Sequence, residues 1–109
     1  MKYYSVAEIT VTDRGWVRDY VTNVTPLVER YGGRYLARTP RFEKIEGVRP
    51  NGEIFLIIEW PSKAVAQAFY DSDGYRPYRQ RRQHGALNEF VLVAGEDVNN
   101  VAQVPSGPA

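Results

Sequence analysis

The sequence predicts a single α+β domain in which a four-stranded antiparallel sheet carries its helices on one face. The chain has 109 residues, which suits one domain with one core. Its composition, 43% hydrophobic and 25% charged, is typical of a globular protein. Stretches with the two-residue period of strands and stretches with a helical period follow one another in the order βαββαβ. This order defines a ferredoxin-like plait.

The first strand and the first helix are predicted within residues 3–32. β-Branched and aromatic residues predict a strand from Tyr3 to Val11. Asp13 is a favourable N-cap for the helix that follows, and Gly32 marks its predicted end. Pro26 predicts a kink rather than a break, because the apolar periodicity continues beyond it. The apolar stripe of this helix consists of Trp16, Val17, Tyr20, Val21, Val24, Leu27, Val28 and Tyr31.

The next two strands are predicted to form a hairpin. The second strand is predicted from Arg34 to Glu46, with an irregularity near Pro40. The turn-forming residues Pro50-Asn51-Gly52 separate it from a third strand, Glu53 to Trp60. We therefore expect these two strands to pair antiparallel.

A second helix is predicted directly after the third strand. Pro61 stops the strand, and Ser62 is a favourable N-cap. The helix is expected to end near Asp71. Its apolar face consists of Ala64, Val65, Ala68 and Phe69, whose small alanines allow close approach to a sheet.

The sequence also predicts an extra short helix before the last strand. It is expected to run from Asp73, as its N-cap, to Gly85, with Pro77 tolerated in the first turn. Glu89 to Ala94 is the predicted fourth strand. The folded domain is then expected to span residues 1–95, followed by an extended tail over residues 96–109.

Two strands are apolar on both faces, which predicts a homodimer. The stretches Ile54 to Ile58 and Phe90 to Ala94 carry apolar residues at both parities. A sheet covered by helices on one face normally has a polar opposite face. We therefore expect the helix-free sheet face to be buried against a second copy, with about 1.5–3 kcal/mol from each buried aliphatic side chain.

Composition excludes several classes of function. Fourteen basic and thirteen acidic residues give a net charge of +1, which disfavours nucleic-acid binding. The chain has no cysteine, a single histidine, and no phosphate-binding glycine motif, so we expect neither a metal site nor another cofactor. The longest apolar run has five residues and no signal peptide is recognisable, so we expect no membrane association and a cytoplasmic location.

The sequence resembles the bacterial domain-of-unknown-function family 1330 from Lys2 to Gly95. The resemblance implies a dimeric α/β barrel, a superfamily that includes cofactor-free monooxygenases, polyketide cyclases, muconolactone isomerase-like enzymes and haem proteins. It is carried by Tyr31-Gly32-Gly33-Arg34-Tyr35-Leu36-Ala37-Arg38, Glu46-Gly47, Glu59-Trp60-Pro61-Ser62, Ala68-Phe69-Tyr70-Asp71-Ser72, Tyr75, Arg82 and Val91-Leu92-Val93-Ala94-Gly95. The sequence departs from the family pattern at Glu8 and in the arginine-rich segment Arg79 to His84.

Three residues of the extra short helix are candidates for catalysis: Tyr75, Arg82 and His84. The guanidinium could hold an anion, the phenol could donate to a developing oxyanion, and the imidazole could move a proton near neutral pH. The resemblance favours Tyr75 and Arg82 among the residues of this helix. The alternative interpretation is a surface histidine together with arginines that form exposed ion pairs.

Four further residues are candidates for substrate binding: Arg38, Glu59, Trp60 and Tyr78. Arg38 and Glu59 lie on predicted strands, where a charge needs a partner or a ligand. An internal salt bridge is the alternative. Trp60 could form a wall for a planar substrate, although tryptophans at such positions commonly belong to the core.

These residues lead to two hypotheses of function. The first is a cofactor-free enzyme of isomerase, cyclase or monooxygenase type, acting on an enolisable, aromatic or polyketide-like small molecule. The alternative is a non-catalytic binding or interaction module that uses the arginine-rich helix to hold an acidic ligand or partner.

Overall fold

The computed structural model describes residues 1–99 and confirms the predicted α+β fold. Its elements in chain order are β1 (Tyr3–Val11), α1 (Val17–Arg30), β2 (Arg34–Thr39), β3 (Ile54–Trp60), α2 (Lys63–Tyr70), α3 (Arg76–Gly85) and β4 (Ala86–Ala94). The strands form one sheet in the order β2-β3-β1-β4 with all neighbours antiparallel. Of the predicted tail, residues 100–109 lie outside the described part of the chain.

The central strand β1 has a partner on each side. Ala7 pairs with Leu56 of β3 and with Phe90 of β4, and all three side chains face the helices. Because successive side chains of a strand point to opposite faces of the sheet, every second residue of each strand faces the helices. The buried core consists of Ala7, Ile9, Val24, Val28, Leu56, Ile58, Trp60, Ala66, Phe69, Tyr75 and Ala86.

Helix α1 begins later than predicted. Its N-cap is Trp16, and the predicted cap Asp13 instead accepts a hydrogen bond from the Gly15 N–H at 3.0 Å. The backbone explains the difference: the N–H groups of Thr12 and Asp13 both donate to the Gly85 carbonyl, at 2.9 and 3.0 Å. This ties the chain to the end of α3 before the helix can start. The helix then continues across Pro26.

The predicted left-handed glycine at the end of α1 is confirmed. Gly32 has φ of +89° and donates to the Glu29 carbonyl, while Gly33 donates to the Val28 carbonyl, both at 2.9 Å. These two bonds form a Schellman motif. They end the helix at Arg30 and turn the chain into β2.

The predicted second strand is too long. β2 ends at Thr39 because Pro40 has no N–H for the ladder, and a loop over residues 40–53 replaces the tight hairpin turn. The antiparallel pairing of β2 with β3 is confirmed, with an irregularity between Tyr35 and Ala37. The loop returns over the helix-free sheet face, where Phe42 packs on Phe55 and the Gly52 N–H donates to Glu8.

The second half of the chain follows the prediction with two shifted starts. Ser62 caps α2 as predicted, accepting from the Val65 N–H at 3.1 Å. Helix α3 is not capped by Asp73: the Ser72 hydroxyl accepts from the Tyr75 N–H, and Asp73 forms an ion pair with Arg76. β4 starts at Ala86, earlier than predicted, because β1 extends to Val11 and offers it a partner. Within residues 1–99, no helix is long and apolar enough to span a membrane.

We predict that replacing Gly33 with alanine destabilises the domain. A Cβ at this position would lie 2.6 Å from Val28 Cγ1 and 2.8 Å from Trp60 Cζ3, both in the buried core. Gly33→Ala should lower the free energy of unfolding by about 1–3 kcal/mol in urea denaturation. Gly15→Ala is the matched control and should stay within about 0.5 kcal/mol of the wild type, since its nearest neighbour would be 3.5 Å away. Equal losses in the two variants would contradict this packing.

Candidate functional site

A cavity of about 530 Å³ lies between the sheet and the helices. Its size is that of typical small-molecule sites. Aliphatic and aromatic side chains make up most of its walls, including Ile9, Val24, Leu56, Ile58, Trp60, Phe69 and Phe90. A few polar side chains, foremost Tyr20, Tyr75 and Arg82, also line it.

Arg82 is a buried cation with an incomplete set of hydrogen bonds. The residue is only 1% exposed, and its guanidinium carbon lies 4.6 Å from the centre of the Phe90 ring. Nη1 donates to Asn88 Oδ1 at 2.9 Å. Nε and Nη2 are shielded from solvent and make no hydrogen bond of good geometry within residues 1–99, although the Tyr75 and Tyr20 hydroxyls lie close enough to interact with the guanidinium. Buried polar groups are nearly always paired, so these two N–H groups make Arg82 the unusual polar residue of the cavity.

The junction of α3 and β4 holds the Arg82 side chain in place. β4 begins at the residue after α3, so Asn88 returns beside the last turn of the helix. The Asn88 amide nitrogen donates to the Ala86 carbonyl at 3.0 Å, which leaves its oxygen to accept from Arg82. The position of the guanidinium is therefore set by the backbone of the junction.

Two tyrosine hydroxyls lie near the guanidinium. The Tyr20 and Tyr75 hydroxyl oxygens are 2.6 Å apart, and the Tyr75 ring is stacked on Phe69 with centres 4.3 Å apart. Burial raises the pKa of Tyr20 well above its usual value, and Tyr75 raises it further, while the charge of Arg82 opposes both. Burial lowers the pKa of Arg82, but Tyr75 and Tyr20 outweigh burial and the pKa is raised.

This arrangement can bind and stabilise a negative charge. A fixed cation and a protonated phenol line the same largely apolar cavity, where electrostatic interactions are stronger than in water. Both groups can donate hydrogen bonds to an oxyanion. Within residues 1–99 no group of three or more histidine, cysteine, aspartate or glutamate side chains is placed to hold a metal ion.

The structure brings four of the seven sequence-predicted site residues to the cavity: Tyr75, Arg82, Trp60 and Arg38. The Trp60 indole N–H donates to the Ser5 hydroxyl at 2.9 Å, which fixes the ring as a wall. Arg38 donates to the Thr25 hydroxyl at 2.8 Å and stacks over the Tyr35 ring.

The other three predicted residues lie elsewhere. His84 is exposed and does not line the cavity, because residues two apart on a helix face nearly opposite directions and Arg82 faces inward. Tyr78 packs beside the core, and its ring lies under the Arg81 guanidinium. Glu59 accepts from Lys2 and Tyr4, at 3.2 and 3.4 Å, which matches the internal salt bridge considered as the alternative.

The remaining arginines of α3 form ion pairs. Arg76 pairs with Asp73 at 2.9 Å, Arg79 with Asp71 at 3.8 Å, and Arg81 with Asp19 at 3.0 Å. The Arg79 guanidinium also donates to the Tyr70 carbonyl at 2.6 Å. The interpretation as exposed ion pairs therefore applies to Arg76 and Arg81, while Arg79 is partly buried but paired. Arg82 differs from all three in its full burial and its incomplete hydrogen bonds.

Sequence reasoning missed Tyr20 and Asn88. Tyr20 belongs to the apolar stripe of α1, and nothing in the sequence links it to Tyr75, which lies 55 residues further along the chain. Asn88 did carry a signal. It is a polar residue at the helix-facing parity of β4, between Ala86 and Phe90, but the predicted strand started after it.

The comparisons confirm the resemblance found in the sequence. The family model described as "Domain of unknown function (DUF1330)" matches residues 2–96, and the chain belongs to this family. Among curated proteins, none matches the sequence significantly.

Two solved structures place the fold among known ones. RPA0582 of Rhodopseudomonas palustris, a protein of unknown function, has a TM-score of 0.73 at 16% identity, covering 88% of this chain and 83% of its own. SnoaB of Streptomyces nogalater, a cofactor-independent oxygenase, has a TM-score of 0.60 at 13% identity, covering 91% of this chain and 97% of its own. At these identities the likeness establishes the ferredoxin-like fold alone.

We predict that replacing Arg82 with methionine stabilises the free protein. The substitution keeps an unbranched apolar stem and removes a buried charge with two unpaired N–H groups. The free energy of unfolding should rise by about 1–2 kcal/mol in urea denaturation. Arg79→Met, in the same helix, should lower it by about 1 kcal/mol, because this guanidinium already donates to the Tyr70 carbonyl. A loss of stability in both variants would contradict the assignment of Arg82 as an unsatisfied cation.

We also predict a stability loss at high pH that depends on Tyr20. The pKa of Tyr20 is raised in the folded state above its usual value of 10.0, so folding favours the neutral phenol. This contribution is fully present below about pH 10 and is lost as the pH rises through the folded-state pKa. In urea denaturation above pH 10, stability should fall less steeply in Tyr20→Phe than in the wild type. Tyr70→Phe, an exposed tyrosine, is the control, and a slope unchanged in Tyr20→Phe would argue against this linkage.

Proposed function

We propose that this protein is a homodimeric, cofactor-free enzyme that acts on an enolisable, aromatic or polyketide-like small molecule in the cavity. One observation carries the proposal: the incompletely hydrogen-bonded guanidinium of Arg82 and the Tyr20–Tyr75 hydroxyl pair line one largely apolar cavity. A structural arginine would have its hydrogen bonds completed by the protein. An anionic ligand or intermediate would complete them here.

The chemistry follows from the charge in the cavity. A cation in an apolar environment lowers the pKa of a bound acidic C–H or O–H group, because it stabilises the anion that is formed. The proton that leaves passes to the Asp71 carboxylate, which also lines the cavity. The Tyr75 or Tyr20 hydroxyl donates to the oxygen on which negative charge develops. The aromatic walls, among them Trp60 and Phe69, pack on a flat substrate and exclude water.

The likeness to SnoaB supports cofactor-free chemistry but does not choose the reaction. SnoaB is described as a cofactor-independent oxygenase, and the shared fold has a cavity between sheet and helices in this chain. Isomerisation, cyclisation and oxygenation all begin with a stabilised substrate anion. The proposal therefore concerns this common first step. A protein that only holds an acidic ligand would use the same side chains without forming an enolate.

The exposed face of the sheet supports the homodimer. Val6, Phe55 and Ile57 belong to the parity that points away from the helices, and Val91 of β4 pairs with Val6 on that side. Val91 is 56% exposed, and Leu87 and Val93 of the same parity are also exposed. The loop over residues 40–53 covers only part of this face, through Phe42 and Gly52. A second copy is the partner whose apolar sheet would bury the remainder.

We predict that the wild type catalyses hydrogen–deuterium exchange at the acidic carbon of enolisable aromatic ketones in D₂O, measured by NMR. Arg82→Gln should reduce the exchange rate by roughly 10²–10³-fold, because it removes the charge that stabilises the enolate. His84→Ala is the matched control in the same helix and should retain the wild-type rate, since His84 is exposed. Equal rates in all three proteins would contradict the proposed site, and no exchange by the wild type would leave only the binding role.

We further predict a stable dimer that a charge on the open sheet face disrupts. Light scattering at micromolar concentration should give twice the chain mass of 12.5 kDa for the wild type. Val91→Lys should yield monomers because it places a charge in the apolar interface. Ala64→Lys, at an exposed residue of α2 on the opposite side of the sheet, is the control and should remain dimeric. A wild-type monomer would overturn the dimer.

A further inference from the structure

The unpaired nitrogens of Arg82 define the shape of the missing anion. Nη1 is occupied by Asn88, so the free donors are Nε and Nη2. In a guanidinium, these two atoms carry parallel N–H bonds on one edge. That edge matches the two oxygens of a carboxylate, and such bidentate pairs are the strong, geometrically specific ones. A single oxyanion can accept from both N–H groups only with less linear hydrogen bonds.

The tyrosine pair adds a donor in the same cavity. In the 2.6 Å contact between Tyr20 and Tyr75, one hydroxyl donates to the other, which leaves one O–H group free. Both hydroxyls are close enough to Arg82 to raise its pKa against the effect of burial. The free O–H group is therefore available to an oxygen beside the carboxylate, such as an ortho-hydroxyl on an aromatic ring or the keto group of a β-keto acid.

The buried charge of the cavity favours a ligand with one anionic group. Arg82 is the buried cation and lies against Phe90, whereas the second lining arginine, Arg38, is exposed and donates to the Thr25 hydroxyl. A second negative charge would lack a buried partner of this kind. The rest of the ligand is therefore uncharged and apolar.

We infer that the cavity takes a monocarboxylic acid with an apolar, planar body and an oxygen on the carbon next to the one that bears the carboxylate. The carboxylate binds the Nε and Nη2 edge of Arg82, and the neighbouring oxygen accepts from the Tyr20–Tyr75 pair. Nε and Nη2 are covered in the free protein, so the acid displaces a neighbouring side chain, and Tyr20 is less buried as a residue than Tyr75. This inference rests on the proposed function, because it assumes that the cavity is the ligand site.

Isothermal titration calorimetry with 3-hydroxy-2-naphthoate and its carboxamide tests the inference. The acid should bind roughly 10–100-fold more tightly than the amide, as expected for charge-assisted hydrogen bonds. Arg82→Lys keeps the positive charge but loses the two parallel N–H bonds. It should therefore remove most of the preference for the acid over the amide, while the affinity for the amide stays unchanged. Amide binding also reports that the variant is folded. Arg81→Gln, at an exposed neighbour paired with Asp19, is the control and should keep the wild-type ratio.

Tyr20→Phe separates the second contact from the first. 2-Naphthoate lacks the neighbouring hydroxyl, so it should bind the wild type more weakly than 3-hydroxy-2-naphthoate, and Tyr20→Phe should abolish that difference. A difference that survives in Tyr20→Phe would overturn the role of the tyrosine pair.

The remaining outcomes distinguish this inference from the proposed function. Equal affinity for acid and amide would overturn the carboxylate site but leave the cavity as a small-molecule site. Tighter binding of 2-naphthyl phosphate than of 2-naphthoate would replace the carboxylate by a phosphate. Binding of none of these probes would contradict the inference and the proposed ligand site together.

Discussion

A guanidinium inside a small core costs free energy unless hydrogen bonds and counter-charges surround it. In this protein Arg82 meets that condition only in part, through Asn88 and two nearby tyrosines. The rest of the site depends on this incomplete satisfaction. It makes the Arg82 end of the cavity polar, and it leaves buried N–H groups that the proposed anion would pair. The arginines around it on α3 are paired at the surface and have no comparable effect.

Close packing of backbone against tryptophan holds the elements that carry Arg82. Gly33 leaves room for Trp60 at the end of α1, and Gly85 leaves room for Trp16 at the end of α3. The Trp16 indole also donates to the Gly85 carbonyl at 3.1 Å. A larger residue at either glycine would push apart the helix and the sheet that define the cavity. The glycines therefore act on the site through packing, although neither touches the proposed ligand.

Membership of a domain-of-unknown-function family and likeness to SnoaB establish the fold, and the fold alone does not determine the chemistry. What distinguishes this chain is the content of its cavity: one buried guanidinium, one pair of hydroxyls 2.6 Å apart, and apolar walls. These features favour an anionic, flat ligand for physical reasons that hold whether or not the reaction is an oxygenation. The open sheet face is a separate property and concerns assembly.

The sequence by itself determined the order of the elements, because the periods of strands and helices, the Ser62 cap and the Gly32 turn are local signals. It also indicated Tyr75 and Arg82. Only the tertiary structure decided which face of α3 packs inward. Because residues two apart lie on nearly opposite faces of a helix, burying Arg82 leaves His84 exposed. Tyr20 and Asn88 reach the site through contacts that no local pattern encodes: α1 packs against α3, and β4 starts directly at the end of α3.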